Sequence, residues 1–257
     1  DLHAREEAPV LGARLLTGTE LDASFPDVDF RLATTRGTNA LLERKGGKVA
    51  LFVTKGFADL LTIRDQRRPD LFALKHARPS PLFDRVIEVP GRLDSDGKEI
   101  SPIEFTDSFN DQVAAALADG VNLGAVALLH SYRNHDHEVS LAAHLRAAGF
   151  DYLSCSADLA PLIKILPRAE TAVVNSYLHP VMQTFLDHIR DRVGEDRELL
   201  TMTSAGGLEP IASYTPKDSL LSGPAGGVSG AAAIAEELGD ERILTFDMGG
   251  TSTDVAR

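Results

Sequence analysis

Between Asp107 and Leu153 the spacing of apolar residues switches repeatedly between helical and extended periods, and this limits the fold more than any other feature of the chain. Phe109, Val113, Ala116 and Leu117 recur at helical spacing and Gly120 ends the run. Ala125 to Leu129 is then continuously apolar, as a strand covered on both faces requires. Val139, Ala142, Leu145 and Ala148 return to the helical period, Gly149 stops it, and Asp151 to Leu153 reads as the next strand. Alternation of this kind predicts an α/β fold with a mostly parallel sheet and flanking helices, with residues 107–154 in one sheet.

The remaining punctuation extends this picture. Residues 29–33 read as a short strand. Gly37-Thr38-Asn39 leads into a helix over 40–45 closed by Gly46 and Gly47, and Lys48 to Val53 reads as a strand. Asp94-Ser95-Asp96-Gly97 is a hairpin turn signal, and the Pro-containing stretch 67–81 reads as a surface loop. A long helix is expected over 167–193, kinked at Pro180. Leu199 to Met202 reads as a strand. Residues 223–238 form a helix rich in Gly and Ala, on which Gly226 and Gly230 permit close backbone approach.

Composition excludes several classes of function. The chain has 257 residues, 43% hydrophobic and 25% charged, which suffices for one large or two modest domains. Its 26 Lys and Arg stand against 38 Asp and Glu, a net charge of -12 with no basic block, which argues against nucleic acid and anionic membranes as partners. One cysteine, Cys155, cannot form an internal disulfide and reads as a core residue rather than a nucleophile. No apolar run reaches the roughly 20 residues of a membrane helix. With no initiator Met and no signal peptide, Asp1 reads as an internal boundary, and the cytoplasm is the expected compartment.

The richest chemistry lies at the end of the sequence. Ile243-Leu244-Thr245-Phe246 reads as a buried strand, followed by Asp247-Met248-Gly249-Gly250-Thr251-Ser252-Thr253-Asp254. Two glycines admit positive φ and close backbone approach, so their amides, with those of Thr251 and Ser252, can converge on an anion. Asp247 and Asp254 would repel a bare phosphate, so the arrangement calls for Mg²⁺ between carboxylate, water and phosphate oxygens, and hence for a nucleotide. A plain tight turn of a hairpin accounts for the same residues.

Six blocks taken together resemble the hydantoinase A and 5-oxoprolinase family. They are Thr34 to Gly46, Thr54 to Leu61, Gln66 to Phe72, Val174 to Leu178, Leu221 to Val228 and Asp247 to Asp254, in the family's order. The resemblance implies an actin-like ATPase (ribonuclease H-like) fold. It implies an N-terminal-type domain over 1–163 whose upstream phosphate loop precedes Asp1, and the start of a hydantoinase A-type domain over 168–257. The latter would hold a connecting helix at about 223–238 and a phosphate loop at 247–254.

The activity implied is ATP-dependent hydrolysis of a cyclic amide or imide, of hydantoin or 5-oxoproline type, in which phosphate activates the carbonyl oxygen and water attacks. ATP and Mg²⁺ are the implied cofactors, and a hydantoinase B-type subunit or domain the implied partner. Asp247 would organise the metal and act in catalysis. Gly249, Gly250, Thr251, Ser252, Thr253 and Asp254 would hold phosphate. Thr35, Thr38, Asn39, Gln66 and Arg68 would face the substrate. An ATP-dependent ketone carboxylase subunit and a non-catalytic nucleotide switch are the competing readings. The sequence departs from the family at Thr203-Ser204-Ala205-Gly206-Gly207 and at Asn134-His135-Asp136-His137-Glu138.

Two further clusters admit two readings each. His130, His135 and His137 with Asp136 and Glu138 offer zinc- or manganese-type ligands, or a helix cap with solvated side chains. Arg67 and Arg68 beside Gln66 offer a bidentate clamp for a carboxylate or imide oxygen, or an ordinary surface pair.

Overall fold

The computed structural model describes residues 6–66, 72, 79–194, 197–248 and 253–257. In chain order its elements are α1 (Ala8–Thr17), β1 (Phe30–Leu32), α2 (Arg36–Leu42), β2 (Val49–Thr54), α3 (Leu60–Ile63), β3 (Arg85–Val89), β4 (Arg92–Leu93) and β5 (Glu99–Ser101). Then follow α4 (Asp107–Ala118), β6 (Leu123–Ala127), α5 (Asp136–Ala148), β7 (Tyr152–Cys155), α6 (Ser156–Leu159) and α7 (Ile165–Val193). The chain continues with β8 (Leu199–Met202), β9 (Leu208–Pro210), a 3-10 turn (Pro216–Ser219), α8 (Ser222–Leu238), β10 (Thr245–Met248) and β11 (Thr253–Ala256). Two compact units result: Gly46–His179, and Asp1–Lys45 with Pro180–Arg257. The chain passes between them after Lys45 and again within α7, at Pro180.

The unit Gly46–His179 holds the predicted parallel sheet, in the order β3-β2-β6-β7 with every pairing parallel. Every residue of β2 and of β6 is buried, which is why both read as unbroken apolar runs. β6 spans Leu123–Ala127, so Leu128 and Leu129 of the expected strand lie beyond its end. Phe52 on β2 anchors the core, packed edge-on against Phe150 and beside Phe109 of α4. Thr106 caps α4 by accepting the Phe109 N–H at 3.3 Å, and Gly149, at φ +113°, closes α5 in the left-handed conformation. On α5 the buried residues are His137, Glu138, Leu141, Ala142 and Leu145, whereas Val139, expected on that face, is 52% exposed.

Where the chain enters this unit, Gly46 lies against the buried ring of Tyr177, and the Gly47 N–H donates to the Tyr177 carbonyl at 2.9 Å. A Cβ on Gly46 would stand 2.3 Å from two carbons of that ring. Gly46→Ala is therefore expected to destabilise the unit by about 1–3 kcal/mol, the usual cost of overpacking, read as a lower urea midpoint.

The second unit has its own core, built from Val10 of α1, Phe25, Phe30 and Leu32 of β1, and Met182, Phe185 and Ile189 of α7. β1 pairs parallel with β8, and β8 antiparallel with β9. α2 begins at Arg36, earlier than expected, and ends at Leu42. α7 continues through Pro180 as one helix. On α8 a Cβ at Gly226 would meet Met202 and Ala33 at ordinary contact distance, and among the described residues nothing lies within 4 Å of one at Gly230, so no described neighbour makes the close approach expected at these two glycines.

Candidate functional site

The strands β10 and β11 pair antiparallel with Met248 opposite Thr253, Asp247 opposite Asp254 and Phe246 opposite Val255. The hairpin of the simpler reading is therefore present. Gly249, Gly250, Thr251 and Ser252, which link the two strands in sequence, and the phosphate contacts expected of them lie outside the described residues. Side chains alternate across a strand, so Asp247 and Asp254 share a face, with Asp247 exposed and Asp254 half-buried. Two carboxylates directly across a ladder repel each other. A hard divalent cation reverses the sign of that interaction, and Mg²⁺ in nucleotide sites uses one or two carboxylates, with water and phosphate completing its shell. The pair thus fits such an ion.

The strand leading into this turn was expected to be buried, and the structure corrects this. It begins at Thr245, and Leu244, Phe246 and Met248 are 72%, 64% and 70% exposed. Among the described residues β10 pairs only with β11, and a two-stranded ribbon packed by a single helix, α8, cannot cover both faces.

In the same unit, two of the sequence blocks meet. The Leu221 N–H donates to Thr38 Oγ1 at 3.1 Å, and Ser222 Oγ donates to the Thr34 carbonyl at 3.0 Å. Thr34 Oγ1 accepts the Arg36 N–H, and Asn39 Nδ2 lies 3.4 Å from Thr35 Oγ1. Thr35 occupies the N-cap position of α2 without capping through its side chain and remains exposed. Gly223 approaches so closely that a Cβ would sit 3.1 Å from Thr35 Cγ2, and Leu221 takes φ +58° to make the turn into α8. Ser222, fully buried, escaped the sequence reading because nothing local links it to Thr34, 188 residues away.

The other expected site residues are placed differently. Gln66 belongs to the unit Gly46–His179, exposed and at φ +57°, while Arg67 and Arg68 lie outside the described residues. The histidine cluster is engaged otherwise than as a metal centre. His137 Nε2 is 2.8 Å from Glu99 Oε2, Asn134 Oδ1 accepts the Asp136 N–H at the start of α5, and Glu138 is turned into the interior. Among the described residues no three His, Cys, Asp or Glu side chains come together as a metal site. A cavity of about 560 Å³ between Arg14, Asp22, Asp27, Asp191, Arg192 and Arg197 contains none of the expected residues, and Arg192 is paired with Asp22 at 3.2 Å.

Cys155 is buried, and burial, followed by the charges of Glu138 and Asp158, pushes its thiol from 9.0 up to about 12. At pH 8 its thiolate population is then roughly a thousandfold below that of an ordinary thiol. Alkylation by iodoacetamide is expected to be slower by about that factor in the folded chain and to reach the ordinary rate in denaturant. Because the folded value is the higher one, this thiol's contribution to stability is complete below pH 9 and is lost as pH rises toward 12.

Among the described residues no helix is long and apolar enough to cross a membrane. The hydantoinase/oxoprolinase N-terminal region matches residues 6–149, and the hydantoinase/oxoprolinase domain matches residues 168–257. 5-Oxoprolinase 1 of Arabidopsis thaliana is 37% identical over 98% of this chain, which spans 22% of that relative. The crystal structure of the ATP-dependent caprolactamase from Pseudomonas jessenii superposes with a TM-score of 0.81 at 28% identity, over 99% of this chain and 39% of that one. Nucleotide-free acetone carboxylase superposes with a TM-score of 0.73 at 26% identity, over 89% of this chain and 34% of that one. Matched along most of its length by both domain signatures, the chain belongs to the hydantoinase/oxoprolinase family.

Proposed function

We propose that this chain is part of an ATP-dependent enzyme that opens a cyclic amide through phosphorylation of its carbonyl oxygen. The observation that carries the reading is the cross-strand pair Asp247 and Asp254, which brackets Gly-Gly-Thr-Ser in the sequence. An unactivated amide carbon is a poor electrophile. ATP supplies the phosphoryl group that activates it, and Mg²⁺ neutralises charge on the phosphates. Asp247 holds the metal, directly or through water, with Asp254 beside it. Gly249, Gly250, Thr251, Ser252 and Thr253 cradle phosphate. Thr35, Thr38 and Asn39 contact the cyclic amide, and Gln66 and Arg68 are separate candidates for substrate contact within the other unit. A hydantoinase B-type subunit or domain is the proposed partner, by analogy with the family.

The chain spans about a fifth of the length of the 5-oxoprolinase it matches, so activity is tested on a protein extended to the length of its relatives. Phosphate release that depends on a lactam or hydantoin supports the reading; release without any such substrate points to a nucleotide switch. The likeness to acetone carboxylase favours one alternative, activation of a ketone as its enol phosphate, which bicarbonate dependence would reveal. The 257-residue chain alone is expected to hydrolyse Mg²⁺-ATP at no more than background rate. One phosphate loop, without a second facing it, cannot surround the transferring group with donors and charge. Robust turnover by the highly purified chain would contradict the assignment of half a nucleotide site to these residues.

A further inference from the structure

The sheet β3-β2-β6-β7 changes winding direction between β2 and β6, and open α/β sheets receive their ligands outside the carboxyl ends of the strands near such a point. Here that edge is filled by the protein itself. Thr54, the last residue of β2, accepts the Leu129 N–H at 2.9 Å and so ties β2 to the segment after β6. One strand further along, the side chain of Glu138, 1% exposed, enters the space beyond β6 and β7. Its Oε1 accepts from the Leu128 N–H at 2.9 Å, Ser131 Oγ at 2.8 Å and Ser156 Oγ at 2.7 Å, and its Oε2 accepts from the Ala157 N–H at 3.0 Å.

Arg168, entirely buried, pairs with the carboxylate at 3.6 Å, without a direct hydrogen bond to it. It donates instead to Ser131 Oγ, Ser156 Oγ and the Leu128 carbonyl. A hydroxyl that accepts from a guanidinium keeps its own proton for another acceptor, so Arg168 turns both serine protons toward Glu138. Ser131 Oγ also lies 2.9 Å from the Leu128 carbonyl, an acceptor that Arg168 already serves. The Nε of Arg168 has no hydrogen-bond partner among the described residues, so the cluster holds more donors than its one carboxylate uses.

We propose that Glu138 is an internal ligand, its carboxylate occupying a built anion site beyond β6 and β7 that accepts a small free carboxylate once the side chain is cut back. Glu138→Ala removes the same heavy atoms that make up acetate and leaves the donors in place. The site selects carboxylates because its donors come from two backbone amides and two hydroxyls oriented for two oxygens on one carbon. A spherical anion such as chloride satisfies only part of that set.

The experiment follows thermal unfolding of wild type, Glu138→Ala and Glu138→Gln in sodium acetate and in sodium chloride at equal pH and ionic strength. Glu138→Ala is expected to be destabilised in chloride and to recover saturably in acetate. Acetate at about a hundred times its dissociation constant should raise the ratio of folded to unfolded chain roughly a hundredfold. Formate should act more weakly. Wild type and Glu138→Gln, in which the space remains filled, should not distinguish the two salts. If Glu138→Ala is unfolded in chloride, the readout becomes the cooperatively folded fraction regained in acetate. The proposal is overturned if Glu138→Ala stays unfolded in acetate, if it responds equally to both anions, or if acetate stabilises all three proteins alike.

Discussion

In a protein spanning the length of its relatives, Asp247→Asn is expected to lower ATP-coupled turnover by at least about a hundredfold, the usual effect of deleting one preorganised charged group around a reacting centre. The fold should survive. Asp247 is exposed at the end of a two-stranded ribbon, and opposite it stands Asp254, so the substitution removes a repulsion and no core volume. A simple hairpin turn makes a different demand, since Asn begins such a turn as well as Asp does. The two readings therefore separate on one comparison: steady-state phosphate release by mutant and wild type, with circular dichroism to establish that both are folded. Near-normal turnover in a folded mutant would reject the phosphate-loop reading and reduce the Gly-Gly pair to turn chemistry.

The sequence made the parallel sheet visible because β2 and β6 are covered on both faces, and nothing interrupts their apolar runs. It concealed other elements for equally physical reasons. α1 hides its character because one of its two buried positions is Arg14, held by Glu6 at 2.7 Å, while Leu15 and Leu16 are 77% and 91% exposed. β3 mixes Arg85 and Glu88 with its apolar residues, which masks its place at the sheet edge. On α5 the inward stripe begins with His137 and Glu138, both polar, so periodicity assigned Val139 to the core. The division at Lys45 and Pro180 is invisible to any local reading, because one unit is assembled from both ends of the sequence.

The candidate site was legible only where its chemistry is local. The acidic residue, the glycine pair and the hydroxyls between Asp247 and Asp254 stand together in the sequence, and the structure adds that the two carboxylates face each other. The junction of Thr34 and Thr38 with Leu221 and Ser222 depends on residues far apart in the chain, and neither block by itself points to the other. For a related reason the sequence left Glu138 between a metal site and a solvated helix cap, whereas its side chain is buried. Its neighbours in sequence are histidines, which suggested a metal, whereas its partners in space are Ser131, Ser156 and the backbone of Leu128 and Ala157.

Arg168→Ala should produce a large loss of stability, about 3–5 kcal/mol, because it leaves the Glu138 carboxylate in the interior without its counter-ion. The chain contains no Trp, so unfolding in urea is followed by circular dichroism, on the transition that Gly46→Ala also shifts. The informative comparison is the double variant Glu138→Leu with Arg168→Met. If the two residues were only a buried ion pair, apolar replacements of similar volume should be nearly neutral or even stabilising. A built anion site predicts otherwise. With the carboxylate gone, the Leu128 and Ala157 amides and the Ser156 hydroxyl lose their acceptor while Ser131 keeps the Leu128 carbonyl, and each buried group left unpaired costs about 1–3 kcal/mol. The double variant should therefore be at least as unstable as Arg168→Ala, and a urea midpoint close to wild type would show that the donors were never assembled around the carboxylate.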